Sequence, residues 1–162
     1  MELLTYKSDE VTTSAEMLLE REFSFPTVVT TIAPALETNL AMVAVDYYFD
    51  RMSVLRPHVE TIVVFLTPSR LFTAFDHEIV AETRANRVVV ATSKLTQATL
   101  PRVFRHEIGR VLGLSDHWGC VMSRYFVEDP MFCIQCRATL FKHGIAWRPN
   151  PGVQVSEKTL SP

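Results

Sequence analysis

Residues 106–117 read His-Glu-Ile-Gly-Arg-Val-Leu-Gly-Leu-Ser-Asp-His, a stretch with the cadence of a helix, a glycine turn and a loop. Such a helix grips one zinc ion when it carries two histidines one turn apart and a third past the glycine. A glutamate beside the first histidine then activates the metal-bound water. Here His106, Glu107 and Gly113 keep that register, but Arg110 stands at the second ligand position and Asp116 at the third, with His117 directly after. An aspartate alone would be tolerable, because a carboxylate is a competent zinc ligand. Arg110 is decisive, since a guanidinium stays protonated and offers no lone pair to a metal. Two like unit charges ~4 Å apart at an effective dielectric constant of ~20 repel by about 4 kcal/mol, and a dication would feel more. The expectation is therefore a guanidinium in the metal's place, paired with Glu107 on the same helix face or with Asp116 across the turn. His106 and Glu107 are then vestiges of a first ligand and a general base.

Directly downstream lies a second constellation. His117-Trp-Gly-Cys120 and Cys133-Ile-Gln-Cys136 are two short knuckles separated by a dozen residues. Each two-residue gap lets a tight turn aim both ligands at one ion, and the separation lets the two turns face each other. Three cysteines and a histidine make a closed tetrahedral shell, which suits structure rather than catalysis. Such an ion would tie the loop after the motif helix to the start of the last helix. A CxxC redox pair at a helix N-terminus, or unpaired core cysteines, remain the other readings. All three cysteines of the chain fall in this window, which argues against a disulfide framework.

Outward from these motifs, the apolar pattern predicts alternating strands and helices. A helix is expected over 12–23, a strand over 27–33 between two prolines, and a long helix over 36–55 with a broad apolar stripe. Continuous apolar runs at 61–66 and 87–92 read as central strands covered on both faces, with an edge strand near 77–81. The motif helix starts near Pro101 and ends near Gly113. A last helix runs from Asp129-Pro130 to about His143, stopped by Gly144. The fold class is α/β: a mixed sheet with a long backing helix, an active-site-type helix and a zinc-tethered C-terminal helix. One domain covers 1–147, with the zinc knuckle at 117–136, and a polar tail covers 148–162. Trp118 is expected to pack over the knuckle, and His58 and His143 to be surface residues or caps.

At 162 residues the chain can bury a full core. A formal net charge of -2 leaves no basic face for nucleic acid or anionic membrane. No apolar run approaches the ~20 residues of a bilayer span, and the N-terminus lacks a signal-peptide pattern. The expected compartment is the cytoplasm.

Taken in order, His106 to His117, Cys120-Val-Met122 and Cys133-Ile-Gln-Cys136 resemble the archaemetzincins, a metzincin-like family of zinc metallopeptidases with the pattern HExxHxxGxxHC, CxM and a later CxxC. Residues 87–95 look like the strand and loop before the family's active-site helix. The resemblance implies a catalytic zinc on three histidines and a structural zinc on four cysteines. Carried over, His106 matches the first catalytic ligand, Glu107 the general base and Met122 the methionine beneath the metal. Cys120, Cys133 and Cys136 match three structural ligands, and His117 takes the place of the fourth. Arg110 and Asp116 replace catalytic histidines, and the loops before Cys120 and Cys133 are shorter than usual, which puts inherited peptide specificity in doubt.

Two functions follow. One is a catalytically degenerate module holding one structural zinc and binding a peptide or protein partner, alone or as a subunit of a larger complex. The other is an active zinc peptidase with an altered site using His106 and Asp116, with Glu107 as base and His117 or His77 as a further ligand.

Overall fold

The computed structural model describes residues 1–5, 10–31, 42–54, 61–96, 98–123 and 131–148. In chain order the elements are β1 (Glu2–Thr5), α1 (Glu10–Phe23), β2 (Val28–Thr31), β3 (Met42–Ala44), α2 (Val45–Val54), β4 (Val63–Thr67), β5 (Arg70–Phe72), β6 (Glu78–Ile79), β7 (Ala81–Arg84), β8 (Arg87–Ala91), α3 (Leu100–Val111) and α4 (Ile134–Lys142). A five-stranded sheet has the order β2-β1-β4-β8-β7, and a smaller one the order β3-β5-β6. The larger sheet is parallel except at one edge, where β7 runs antiparallel to β8 with Ala81 opposite Val90 and Arg84 opposite Arg87.

The central strands owe their place to continuous apolar runs. All five residues of β4, Val-Val-Phe-Leu-Thr, are buried, as are four of the five in β8. Their side chains alternate between two cores, as the period of two requires. Val64, Leu66, Val88 and Val90 face a core with Leu19 and Phe23 of α1 and Phe104 and Ile108 of α3. Val63, Phe65, Val89 and Ala91 face a second core with Tyr48, Phe49 and Met52 of α2. Each such side chain contributes roughly 1.5–3 kcal/mol by leaving water. The helical layers are therefore placed by a sheet that needs covering on both faces.

The backing helix is shorter than the predicted 36–55. It spans Val45–Val54, and Met42–Ala44 just before it form a strand paired in parallel with Arg70–Phe72. That triplet buries only its middle residue, Val43, so a two-residue period lay hidden inside what read as a helical stripe. The single mixed sheet expected from sequence is correspondingly two sheets. The last helix begins at Ile134, after the expected Asp129-Pro130, which lie outside the described residues, as does the tail from 149 onward. Gly113 and Gly144 take the left-handed conformation (φ 81° and 77°) past α3 and α4, the turn that glycine permits without a Cβ penalty. No helix among the described residues is long and apolar enough to cross a membrane.

One buried interaction crosses the apolar core of α1 and α3. Arg105, fully buried, forms a bidentate pair with Glu22 through Nε at 2.7 Å and Nη2 at 2.6 Å. Trp147 Nε1 donates to the same carboxylate at 3.1 Å, and the Arg148 N–H donates to the Glu22 carbonyl at 2.8 Å. The pair joins α1, α3 and the segment after α4. Removing one partner of such a pair strands a charge in the core. Glu22→Gln and Arg105→Met, unfolded in urea, are each expected to lose about 3–5 kcal/mol. A loss below about 1 kcal/mol would show that the pair is not what holds these elements.

Candidate metal centre and adjoining cleft

His117, Cys120, Cys133 and Cys136 converge as the spacing predicts, their four ligand atoms all within 4.8 Å of one another. His117 Nε2 lies 3.0 Å from Cys120 Sγ, 3.3 Å from Cys133 Sγ and 3.4 Å from Cys136 Sγ, and Cys120 and Cys136 are 3.9 Å apart. A tetrahedral zinc with bonds of about 2.3 Å to sulfur and about 2.0 Å to nitrogen sets sulfur–sulfur edges of ~3.8 Å and sulfur–nitrogen edges of ~3.5 Å. The four residues therefore fit one zinc ion with small adjustments.

The local backbone explains the convergence. Gly119, at φ 82°, turns the chain between His117 and Cys120, and the His117 N–H donates to the Met122 carbonyl across that turn. The Val121 N–H donates to the Met131 carbonyl at 2.9 Å, laying the first knuckle beside the second. Cys133 caps α4, and Cys136 sits in its first turn. His117 Nδ1 lies 2.9 Å from the Ser115 carbonyl. A carbonyl can only accept, so Nδ1 carries the proton and Nε2 turns its lone pair to the three sulfurs. The Met122 N–H donates to Cys120 Sγ at 3.3 Å, as suits a thiolate. Burial pushes the Cys133 thiol up, but the Cys136 backbone N–H, His117 and the two other thiols outweigh it and bring it to about 7. Burial pushes Cys136 up instead. A bound dication would favour the thiolate at both. Trp118, between the two ligands of the first knuckle, is 73% exposed.

Helix α3 borders a cleft of ≈ 390 Å³. Arg102, His106, Glu107 and Arg110 of α3 form one wall, Ile79 to Ala81 the facing one, and Asp116 and Ser123 the side toward the knuckle. His106 Nδ1 lies 2.9 Å from the Val121 carbonyl, so this imidazole also carries its proton on Nδ1. Its Nε2 is 3.8 Å from Asp116 Oδ1. The first and third positions of the motif thus face each other. Glu107 is buried, and its Oε2 accepts from the Thr83 hydroxyl of β7 at 2.5 Å. Burial pushes its carboxyl up, the Thr83 bond and the charges of His106 and Arg110 pull it down, and Asp116 adds to the upward push.

The expected salt bridge from Arg110 is not among the ion pairs of the described residues. Thr83 occupies Glu107 and His106 faces Asp116, so Arg110 stays exposed at the cleft's rim. His77, considered as an extra ligand, is exposed and lies outside the cleft lining. Among the described residues the Cys₃His set is the one group of three or more potential ligands that could hold an ion.

Sequence reading passed over Gly109. A Cβ there would sit 2.6 Å from Met122 Sδ, 3.1 Å from Phe132 and 3.3 Å from Leu114. A glycine inside a helix costs about 1 kcal/mol against alanine, so its presence was a signal of close approach. It lets the fully buried Met122 pack directly under α3.

No protein-family model matches this chain, and no curated protein does. Three solved structures share its fold. The crystal structure of archaemetzincin from Archaeoglobus fulgidus, complexed with malonate, has a TM-score of 0.64 at 15% identity, covering 86% of this chain and 99% of its own. Archaemetzincin from Methanopyrus kandleri has a TM-score of 0.63 at 18% identity over 87% of this chain and 92% of its own. A zinc-dependent peptidase from Methanocorpusculum labreanum has a TM-score of 0.54 at 19% identity, over 86% and 98%. The chain therefore has the archaemetzincin fold, as the motif order implied.

Two outcomes are expected from this geometry. Chelation of the purified protein, or Cys136→Ser, lowers the melting temperature in calorimetry, and an unchanged temperature would argue against a structural ion. Gly109→Ala costs a net of about 1–2 kcal/mol in chemical denaturation, because overpacking against Met122 and Phe132 outweighs the gain in helix propensity. A stabilised variant would show that Met122 moves aside freely.

Proposed function

We propose that this chain is a catalytically degenerate, zinc-stabilised module that uses a peptidase fold to bind a peptide or protein partner, alone or as a subunit of a larger complex. The observation that carries this reading is Arg110. It stands one turn after His106 on the cleft wall, where the family pattern has the second ligand of the catalytic metal. The zinc-peptidase-like fold and the Cys₃His group support retention of one structural ion, and the cleft supports retention of a binding groove. Strand β7 lies at a sheet edge beside that cleft, and an extended peptide needs only such an edge and pockets for side chains. The compartment belongs to the same proposal: three cysteines in a metal-type cluster, none in a disulfide, suit the reducing cytoplasm.

One observation favours the alternative of an active peptidase with an altered site. His106 Nε2 and Asp116 Oδ1 approach to 3.8 Å, and Glu107 lies beside them with its carboxyl pushed toward the range of a working base. Two ligands next to a guanidinium leave a zinc ion weakly held, which weighs against that reading.

Zinc counting separates the two. The wild-type protein is expected to carry one zinc per chain and to cleave no peptide. The double variant Arg110→His, Asp116→His is expected to take up a second. Two zincs in the wild type, or hydrolysis that Glu107→Gln abolishes, would establish the altered peptidase instead.

A further inference from the structure

Arg102, His106 and Arg110 recur at every fourth residue of α3 and therefore share one face, and all three line the cleft. Over ~12 Å of helix that wall carries two guanidiniums with an imidazole between them. The acidic groups of the cleft are engaged locally. Glu107 accepts from Thr83, and Asp116 faces His106. Arg102 is nearly buried, whereas Arg110 is exposed and takes part in none of the ion pairs among the described residues. The facing wall, Ile79 to Ala81, presents apolar side chains.

We propose that this cleft is a carboxylate-binding site, in which Arg110 receives the C-terminal carboxylate of a peptide. The inference rests on the peptide-binding reading above and names the group recognised. A planar guanidinium matches a carboxylate with two parallel hydrogen bonds, and it does so best in a partly desolvated cleft. The apolar wall opposite suits the last side chain of the peptide rather than a second charge. A cleft of ≈ 390 Å³ is within the range that takes up a small ligand or a chain end. The exchange of a metal ligand for arginine thus changes what the cleft prefers. A metal polarises a carbonyl in mid-chain, whereas a guanidinium holds a terminal anion.

The test follows the His106 ring signals by NMR in zinc-loaded protein. The probes are tetra-alanine with a free C-terminus, its C-terminal amide, and malonate. The free acid is expected to bind about ten-fold or more tightly than the amide, and Arg110→Gln, at an exposed position, is expected to erase that difference. Equal binding of acid and amide, or an acid preference that survives in Arg110→Gln, overturns the inference and leaves the peptide-binding reading in place. Malonate shifting the His106 signals while neither peptide does overturns both the peptide terminus as ligand and the peptide-binding reading. Silence from all three probes overturns the carboxylate site itself.

Discussion

Four ligand atoms within 4.8 Å of one another are the constraint on which the rest of the site depends. Holding His117 and Cys120 against Cys133 and Cys136 fixes residues 121–123 just after the first knuckle, and these support α3 and its cleft. The Val121 carbonyl orients His106. Met122 packs under α3 at Gly109. Ser123 contributes to the cleft wall. Three cysteines and a histidine held in this way without an ion would crowd polarisable sulfurs together, one of them with its thiol brought down to about 7. An ion converts that liability into a cross-link between the loop and α4, whose binding energy becomes folding energy.

On the proposed reading, this dependence lets a peptidase-like cleft outlive its chemistry. In the metzincin-like pattern a catalytic ion would itself hold the helix and the following loop together. Here the second and third ligand positions carry Arg110 and Asp116, yet the two walls remain apposed. Thr83 of the edge strand holds Glu107, and the loop holds His106. Farther out, Arg105, Glu22 and Trp147 bind α3 to α1 and to the segment after α4 through a buried charge pair. None of these contacts involves the substituted positions, so the frame does not depend on them. Arg110 is left at the rim with its charge available.

Much of this was legible in the sequence because metal chemistry demands strict spacing. The pair of two-residue gaps singled out His117, Cys120, Cys133 and Cys136, and the glycine after α3 marked where that helix ends. The central strands were equally plain, since a run such as Val-Val-Phe-Leu at 63–66 has no polar residue to put in water. Met42–Ala44 was misread because three residues are too few to show a period of two beside a longer helical stripe. Glu22 and Arg105 are 83 residues apart, and nothing local marks either as buried. The expected Arg110 salt bridge failed for a similar reason: Thr83, from a different strand, reaches Glu107 first. Spacing along one chain segment carries information about ligands of a common ion, but not about which distant side chain competes for a carboxylate.

X-ray absorption at the zinc edge addresses the central claim most directly, because it reports the average ligand set of every zinc in the wild-type protein. The expected spectrum shows three sulfurs at about 2.3 Å and one nitrogen at about 2.0 Å per zinc, with no further ion on adding zinc. A first shell dominated by nitrogen and oxygen, or a mixture that shifts toward them as zinc is added and reverts in His106→Ala, would contradict it, because His106 and Asp116 would then still hold a metal beside Arg110.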